Sequence, residues 1–253
     1  MQTRVQLERS GAAATIVLVA PAGKPPTLDG DSLGELAGAV AKLAANPPRV
    51  AILRSSEPKY FCVGANLKVL EQTNEETIVP WVRRGHEVLN QLEDLPCPVV
   101  ARISGYAMGG GLELAMACDL IFAAADAKFA QSEAGLGFIP GWGGTLRLAE
   151  RIGASAAKRL FFTGTMIDAV RARELGLVDE VCPPERLDAA LEEFVGAVAK
   201  NSTYATSTFK RIINDERRAA RVRCLAAEAE HSRGCLRDPE TKERLQRFLT
   251  KRK

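Results

Sequence analysis

The chain has almost no histidine: His86 and His231 are the only two among 253 residues. Its six cysteines (Cys62, Cys97, Cys118, Cys182, Cys224 and Cys235) form no Cys-x-x-Cys pair, so the spacing of a zinc site is missing and they read as reduced, mostly buried thiols. An excess of one charge is lacking too. Lys plus Arg number 34 against 31 for Asp plus Glu, too even a balance for the chain as a whole to face nucleic acid or membrane, so any basic function must be local. Long apolar runs are absent. Met1 to Gly11 is polar and carries Arg4, Glu8 and Arg9, unlike a secretory signal, and a soluble cytoplasmic protein is the expectation. The longest apolar stretch, Ala107 to Ala125, is interrupted by Glu113 and Asp119, which are costly in hydrocarbon, so it reads as protein core. Two phosphate-cradling signatures are missing as well, Gly-x-x-x-x-Gly-Lys-Ser/Thr and a Gly-x-Gly-x-x-Gly at the first strand, and so is a Gly-x-Ser-x-Gly nucleophile elbow.

What is present is enough apolar material, 46% of the residues, for one large core with at most a small appendage. Short β-rich runs alternate with helical periodicity, the pattern of an α/β fold. Strands are predicted at Ala14 to Val19, Val50 to Arg54, Pro98 to Ile103, Leu120 to Ala124 and Leu177 to Val181. Helices are predicted at Asp31 to Ala45, Glu75 to Leu95, Gly111 to Cys118, Thr145 to Ile152 and Asp168 to Leu175. From Pro184 the strand signals stop and a helical tail begins, with breaks or caps expected at Asn201, Asn214, Asp215 and Asp238-Pro239. Its apolar positions, Leu187, Leu191, Phe194 and Val198, then Phe209, Ile212 and Ile213, need a surface to bury against, either another subunit or the core of the same chain.

The richest segment is Ser104-Gly105-Tyr106-Ala107-Met108-Gly109-Gly110-Gly111-Leu112-Glu113, a glycine turn from a predicted strand into a predicted helix. Such a turn exposes backbone N–H groups at the positive end of a helix, where an anionic oxygen is stabilised; tight packing at a crossover is the alternative. A second glycine turn, Tyr60-Phe61-Cys62-Val63-Gly64-Ala65-Asn66-Leu67, can present another donor, and two converging amides make an oxyanion hole. Glu113 lies early in an otherwise apolar helix, and Glu133, within Gln131-Ser132-Glu133-Ala134-Gly135-Leu136-Gly137, precedes apolar and glycine residues. Each alone can be a helix-terminal or surface acid. If both line one pocket, repulsion and desolvation raise one of them and leave a proton donor beside an acceptor.

The ordered series of these pieces resembles the crotonase (enoyl-CoA hydratase/isomerase) superfamily. The matching run includes Phe61 to Lys68, Ser104 to Asp119, Phe129-Ala130-Gln131-Ser132-Glu133, Leu136 through Leu148 with its Pro140-Gly141-Trp142-Gly143-Gly144 turn, and Ala172 to Asp179. The resemblance implies a β-β-α spiral core over residues 1–195, followed by a helical region over 196–253 that covers the site and contributes to oligomer contacts. A homotrimer or a dimer of trimers is implied, with an acyl-CoA thioester bound in an extended cleft and no metal or redox cofactor. By the same resemblance the backbone N–H groups of Ala65 and Gly110 hold the thioester oxygen, and Glu113 and Glu133 take the two acid/base positions of a hydratase acting on one water. Cys62, Val63, Gly64, Asn66, Leu67, Gly109, Pro140 and Gly141 fall where the family contacts substrate or CoA. Lys24 reads either as a phosphate contact on the CoA or as a solvated loop lysine.

The chain departs from the family pattern at Asn66, where aspartate is common, at Val19 to Leu28, which lacks the usual Asn-Arg-Pro, and at Glu243-Arg244 in place of Glu-Gly. These touch CoA contacts and substrate shape while leaving the two glutamates in place. Alternative activities within the family are double-bond isomerisation, which one carboxylate can run, and hydration of a cyclic dienoyl-CoA. A more distant alternative is RNA binding through Lys210-Arg211, Arg217-Arg218, Arg221, Arg223 and Lys251-Arg252-Lys253, although no aromatic residues interleave to stack bases.

Overall fold

The structure, a computed structural model, describes residues 2–250. Strand β1 (Arg4–Ser10) turns at Gly11 (φ 56°) into β2 (Ala13–Val19), with which it pairs antiparallel. Helix α1 (Gly30–Ala45) begins at Asp29, whose carboxylate accepts the Ser32 N–H while the Ser32 hydroxyl accepts the Asp29 N–H, a reciprocal cap. Its buried Leu33, Leu36, Val40 and Leu43 recur at helical spacing and face the sheet.

The next three turns repeat the same order. Strands β3 (Val50–Ser55) and β4 (Tyr60–Cys62) precede α2 (Leu67–Glu71) and α3 (Ile78–Glu93); β5 (Val99–Ile103) and β6 (Tyr106–Met108) precede α4 (Gly110–Met116); β7 (Leu120–Ala124) and β8 (Lys128–Ala130) precede α5 (Gly144–Ile152). This is the β-β-α spiral that the resemblance implies. Helix α6 (Ala154–Thr163), β9 (Ile167–Asp168), α7 (Ala169–Leu175) and β10 (Glu180–Cys182) close the core, and α8 (Leu187–Ala199), α9 (Thr203–Arg237) and α10 (Pro239–Thr250) form the tail.

Both strands of the first turn, the first strands of the next three and β10 build one sheet in the order β1-β2-β3-β5-β7-β10, and the second strands of those three turns build another with β9 in the order β4-β6-β8-β9. In the larger sheet, period-two alternation sends Ala51, Leu53, Val99, Ile103 and Ile121 into the main core with α1 and α3. The intervening Val50, Val100, Phe122 and Ala124 meet Leu187 and Leu191 of α8 on the other face, where the rings of Phe122 and Phe194 pack edge to face at 5.5 Å. The boundary expected at 195/196 therefore falls inside a helix seated on the sheet.

Several local expectations change. The last strand is Glu180–Cys182 rather than Leu177 to Val181, because Leu177 and Val178 are core residues of the turn that follows the left-handed Gly176 at the end of α7. Helix α9 runs unbroken through Asn214 and Asp215: the Asn214 amide donates outward to the Glu93 carbonyl and Asp215 pairs with Arg218, so neither side chain competes for the helix backbone. Among the described residues no helix is long and apolar enough to cross a membrane.

Candidate active site

Three short strands position the site. Strands β4, β6 and β8 are adjacent and parallel, so the loops that leave their C-terminal ends emerge on one edge. Those loops are Val63 to Asn66, Gly109-Gly110, and Gln131 to Glu133. The carboxyl edge of parallel strands is where open α/β sheets place their ligands.

Backbone geometry brings the first two loops into contact. Gly64 (φ 93°) and Gly109 (φ 52°) take conformations closed to ordinary side chains, and a Cβ on Gly64 would lie 2.8 Å from the Gly110 nitrogen. The Val63 to Asn66 turn is also laced to the loop after β2: Val63 donates to Pro26, Leu28 to Gly64, and Asn66 to Leu28. Among the described residues, the N–H groups of Ala65 and Gly110 donate to no backbone or side-chain acceptor.

The two glutamates come from α4 and from the turn after β8, and Gln131, the hydrogen-bond partner of Glu133, lies with Glu113 Oε1 against Gly144. Glu113 is 2% exposed, and its Oε1 accepts the N–H groups of Trp142 and Gly144, each at 2.7 Å. Burial holds its carboxyl well above the usual range, and the charges of Glu133 and Glu228 push the same way against those two amide bonds. Glu133 lies beside Gly109, whose Cβ, if present, would sit 3.1 Å from Glu133 Oε1. That oxygen accepts from Gln131 Nε2 at 2.9 Å, while Glu133 Oε2 is enclosed without a partner, as is Gln131 Oε1. Burial raises the Glu133 carboxyl to about 7, helped by Glu228 and opposed by its hydrogen bonds. Two carboxyl groups that favour keeping a proton thus act on one another, Glu133 beside the Gly109 turn that carries one undirected amide, and such groups are able to polarise a carbonyl and exchange protons at a water.

The remaining predicted residues are distributed as follows. Cys62 is fully buried at the end of β4, its carbonyl so close to Gly111 that a Cβ there would be 2.0 Å away. Asn66 caps α2 by accepting the Lys68 N–H at 3.2 Å, and Leu67 opens that helix. Pro140 packs at Gly144, and Gly141 faces Val82. Lys24 is exposed in the loop laced to the Val63 turn.

Two residues to which the sequence assigned no role stand at the site. Trp142 is 2% exposed and wedged between Gly85 and Gly110, where added Cβ atoms would lie 2.0 and 2.5 Å from its ring; Trp81 packs against it edge to face at 5.3 Å. Glu228, from the tail helix α9, reaches the turn that follows Trp142. A cavity of about 780 Å³ also opens at the C-terminal end of α4, but its acids are paired with neighbours: Asp119 with Lys210, Glu93 with Arg147 and Arg221, Asp179 with Arg151, and Glu150 with Arg217.

The family profile described as enoyl-CoA hydratase/isomerase matches residues 9–253. The chain is 33% identical to the short-chain-enoyl-CoA hydratase of Clostridium acetobutylicum over 98% of its own length and 95% of that protein's. It is 34% identical to the crotonyl-CoA hydratase of Syntrophomonas wolfei over 89% and 87% of the two chains. Among solved structures, an enoyl-CoA hydratase from Bacillus anthracis superposes with a TM-score of 0.80 at 32% identity, covering 98% of this chain and 96% of that one.

Proposed function

The chain belongs to the enoyl-CoA hydratase/isomerase family, and from that membership we propose that it adds water across the C2–C3 double bond of a 2-enoyl-CoA thioester. In this reading the amides of Ala65 and Gly110 hold the thioester oxygen, and Glu113 and Glu133 hold one water between them. The water oxygen bonds to C3, electron density moves onto the thioester as an enolate held by the amides, and C2 takes a proton from the carboxyl pair, which recovers one from the water. The reaction needs neither metal nor redox cofactor.

The observation that carries the reading is the convergence of the β4, β6 and β8 loops on one edge, which brings together two undirected amides and Glu133, with Glu113 close enough for the two carboxyls to raise one another's hold on a proton. Retention of both glutamates favours hydration over isomerisation, which a single carboxylate serves. The test is a side-by-side assay of crotonyl-CoA, a longer 2-enoyl-CoA and a cyclic dienoyl-CoA. Hydration of at least one is expected; no hydration of any, with double-bond migration in a 3-enoyl-CoA, would overturn the proposal.

Exposed apolar side chains on α6 to α7 (Phe162, Met166, Val170) and on α9 (Phe209, Ile212, Ile213) support assembly as a trimer or dimer of trimers, which sedimentation measures. The six free cysteines fit a reducing compartment such as the cytoplasm. The basic tail gives RNA binding little support: Lys210 and Arg221 are buried against acids, Arg217 and Arg218 are paired, Lys251 to Lys253 lie outside the described residues, and only Arg211 and Arg223 of the footprint are exposed without an ion pair among the described residues.

A further inference from the structure

A third carboxylate stands behind the site and has no task in the reading above. Helix α9 carries Glu228 to 3% exposure. Its Oε2 accepts the Gly143 N–H at 2.8 Å and lies 3.0 Å from His86 Nε2 on α3, and its Oε1 accepts the Thr145 N–H at 3.0 Å. Glu113, on the opposite side of the same turn, takes the Trp142 and Gly144 amides. Four consecutive amides, 142 to 145, are therefore dealt alternately to two carboxylates. The left-handed Gly143 (φ 95°) sits within this arrangement, at the start of α5, where unpaired helix donors are concentrated.

We propose that Glu228, braced by His86, is a positioning residue for the reaction: by fixing the Gly143 and Thr145 amides it aims those of Trp142 and Gly144 at Glu113 and so sets the direction of the Glu113 carboxylate. The proposal rests on the reading of Glu113 as part of the hydration machinery. Without Glu228 the buried Gly143 N–H loses its acceptor, and the turn gains freedom to rotate away from Glu113. The charge of Glu228 also acts on both acids of the site, raising Glu113 and Glu133 alike. The titratable or charged groups around it are His86 from α3, Glu113 from α4, Glu133 beside Gly109, Arg147 from α5 through the Trp142 carbonyl, and Cys224 on its own helix.

The test compares Glu228→Ala, Glu228→Gln and His86→Gln with Glu113→Gln in the full chain, using crotonyl-CoA. Glu228→Ala is expected to lower kcat by roughly 10- to 100-fold, the scale of a small misplacement of reacting groups, with KM little changed. Glu228→Gln, which keeps one acceptor, should recover part of that loss. Both variants should move the pH profile to lower pH, because a neighbouring negative charge is gone. A reading free of turnover comes from ¹³C-carboxyl NMR of glutamate-labelled protein, with the Glu113 signal assigned by its loss in Glu113→Gln: its titration should move downward in Glu228→Gln. A wild-type kcat and pH profile in folded Glu228 variants, or an unmoved Glu113 titration, would overturn the proposal. So would a kcat loss that merely tracks the folded fraction with an unchanged pH profile. Full activity in Glu113→Gln sinks the reading of the site itself, whereas an inactive Glu113→Gln beside normal Glu228 variants sinks the positioning role alone.

Discussion

Replacing Glu133 by glutamine should cripple turnover and stabilise the fold, and the two effects have one cause. The carboxyl is raised from 4.5 to about 7 by enclosure in the site. A group lifted in this way keeps its proton in the folded chain after the unfolded chain has lost it, so stability declines as pH rises from about 4.5 and levels off above about 7. The full difference corresponds to roughly 3 kcal/mol of native stability lost at pH 8 relative to pH 4. Glutamine never ionises, and it can still accept from Gln131, so the variant escapes the penalty without losing that bond. At about 2–4 °C per kcal/mol for a chain of this size, its Tm should exceed that of the parent by up to roughly 6–12 °C at pH 8 and by little at pH 4. Turnover of crotonyl-CoA, followed by the loss of conjugated enoyl-thioester absorbance, should fall by about 10²- to 10⁴-fold. Equal Tm differences at both pH values would refute the argument from enclosure, and near-normal turnover would remove Glu133 from the chemistry.

Other outcomes follow from the same geometry. Glu113→Gln should lose about 10²- to 10⁴-fold in kcat with an intact circular dichroism spectrum, since the glutamine oxygen still accepts the Trp142 and Gly144 amides. Gly110→Ala drives a Cβ to 2.5 Å from the Trp142 ring and displaces an amide proposed to bind the carbonyl, so kcat should drop about 10²- to 10³-fold in steady-state assays. Under the proposed reaction, the parent's rate should decline as pH climbs through about 7, where Glu133 loses its proton and the carboxyl pair can no longer supply it; a flat profile across that value would contradict this. Buried Cys62, Cys97 and Cys118, pushed up to about 12, 11 and 12, should resist a disulfide exchange reagent in the native state, leaving the slower-than-free reaction that remains to the partly exposed Cys182, Cys224 and Cys235, whose thiols burial also pushes up.

The strands legible in the sequence were those buried on both faces: Ala14 to Val19, Val50 to Arg54 and Leu120 to Ala124 form near-continuous apolar runs and recur in the structure within a residue or so. Strand β1 was not legible, because it lies at the sheet edge, partners only β2 and is mostly exposed. Strands β4, β6 and β8 are three residues each, too short for any periodicity, yet they carry the loops of the candidate site. Glu113, Glu133 and the two glycine turns were legible because carboxylates and glycines stand out against apolar surroundings. Glu228 stands in a helix crowded with charges, and only tertiary packing separates it from the solvated residues beside it. Asn214 and Asp215 misled for the converse reason, since their helix-breaking tendency was overridden by partners distant in sequence or one turn away.

The indole of Trp142, pressed between two residues that lack side chains on separate helices, makes positions 85, 110 and 142 a closed exchange of volume. Bulk added at either glycine has to be surrendered at the tryptophan, so paired replacements there should be tolerated where single ones are not. The wall formed by this indole can thus be remodelled only through concerted changes at the three positions.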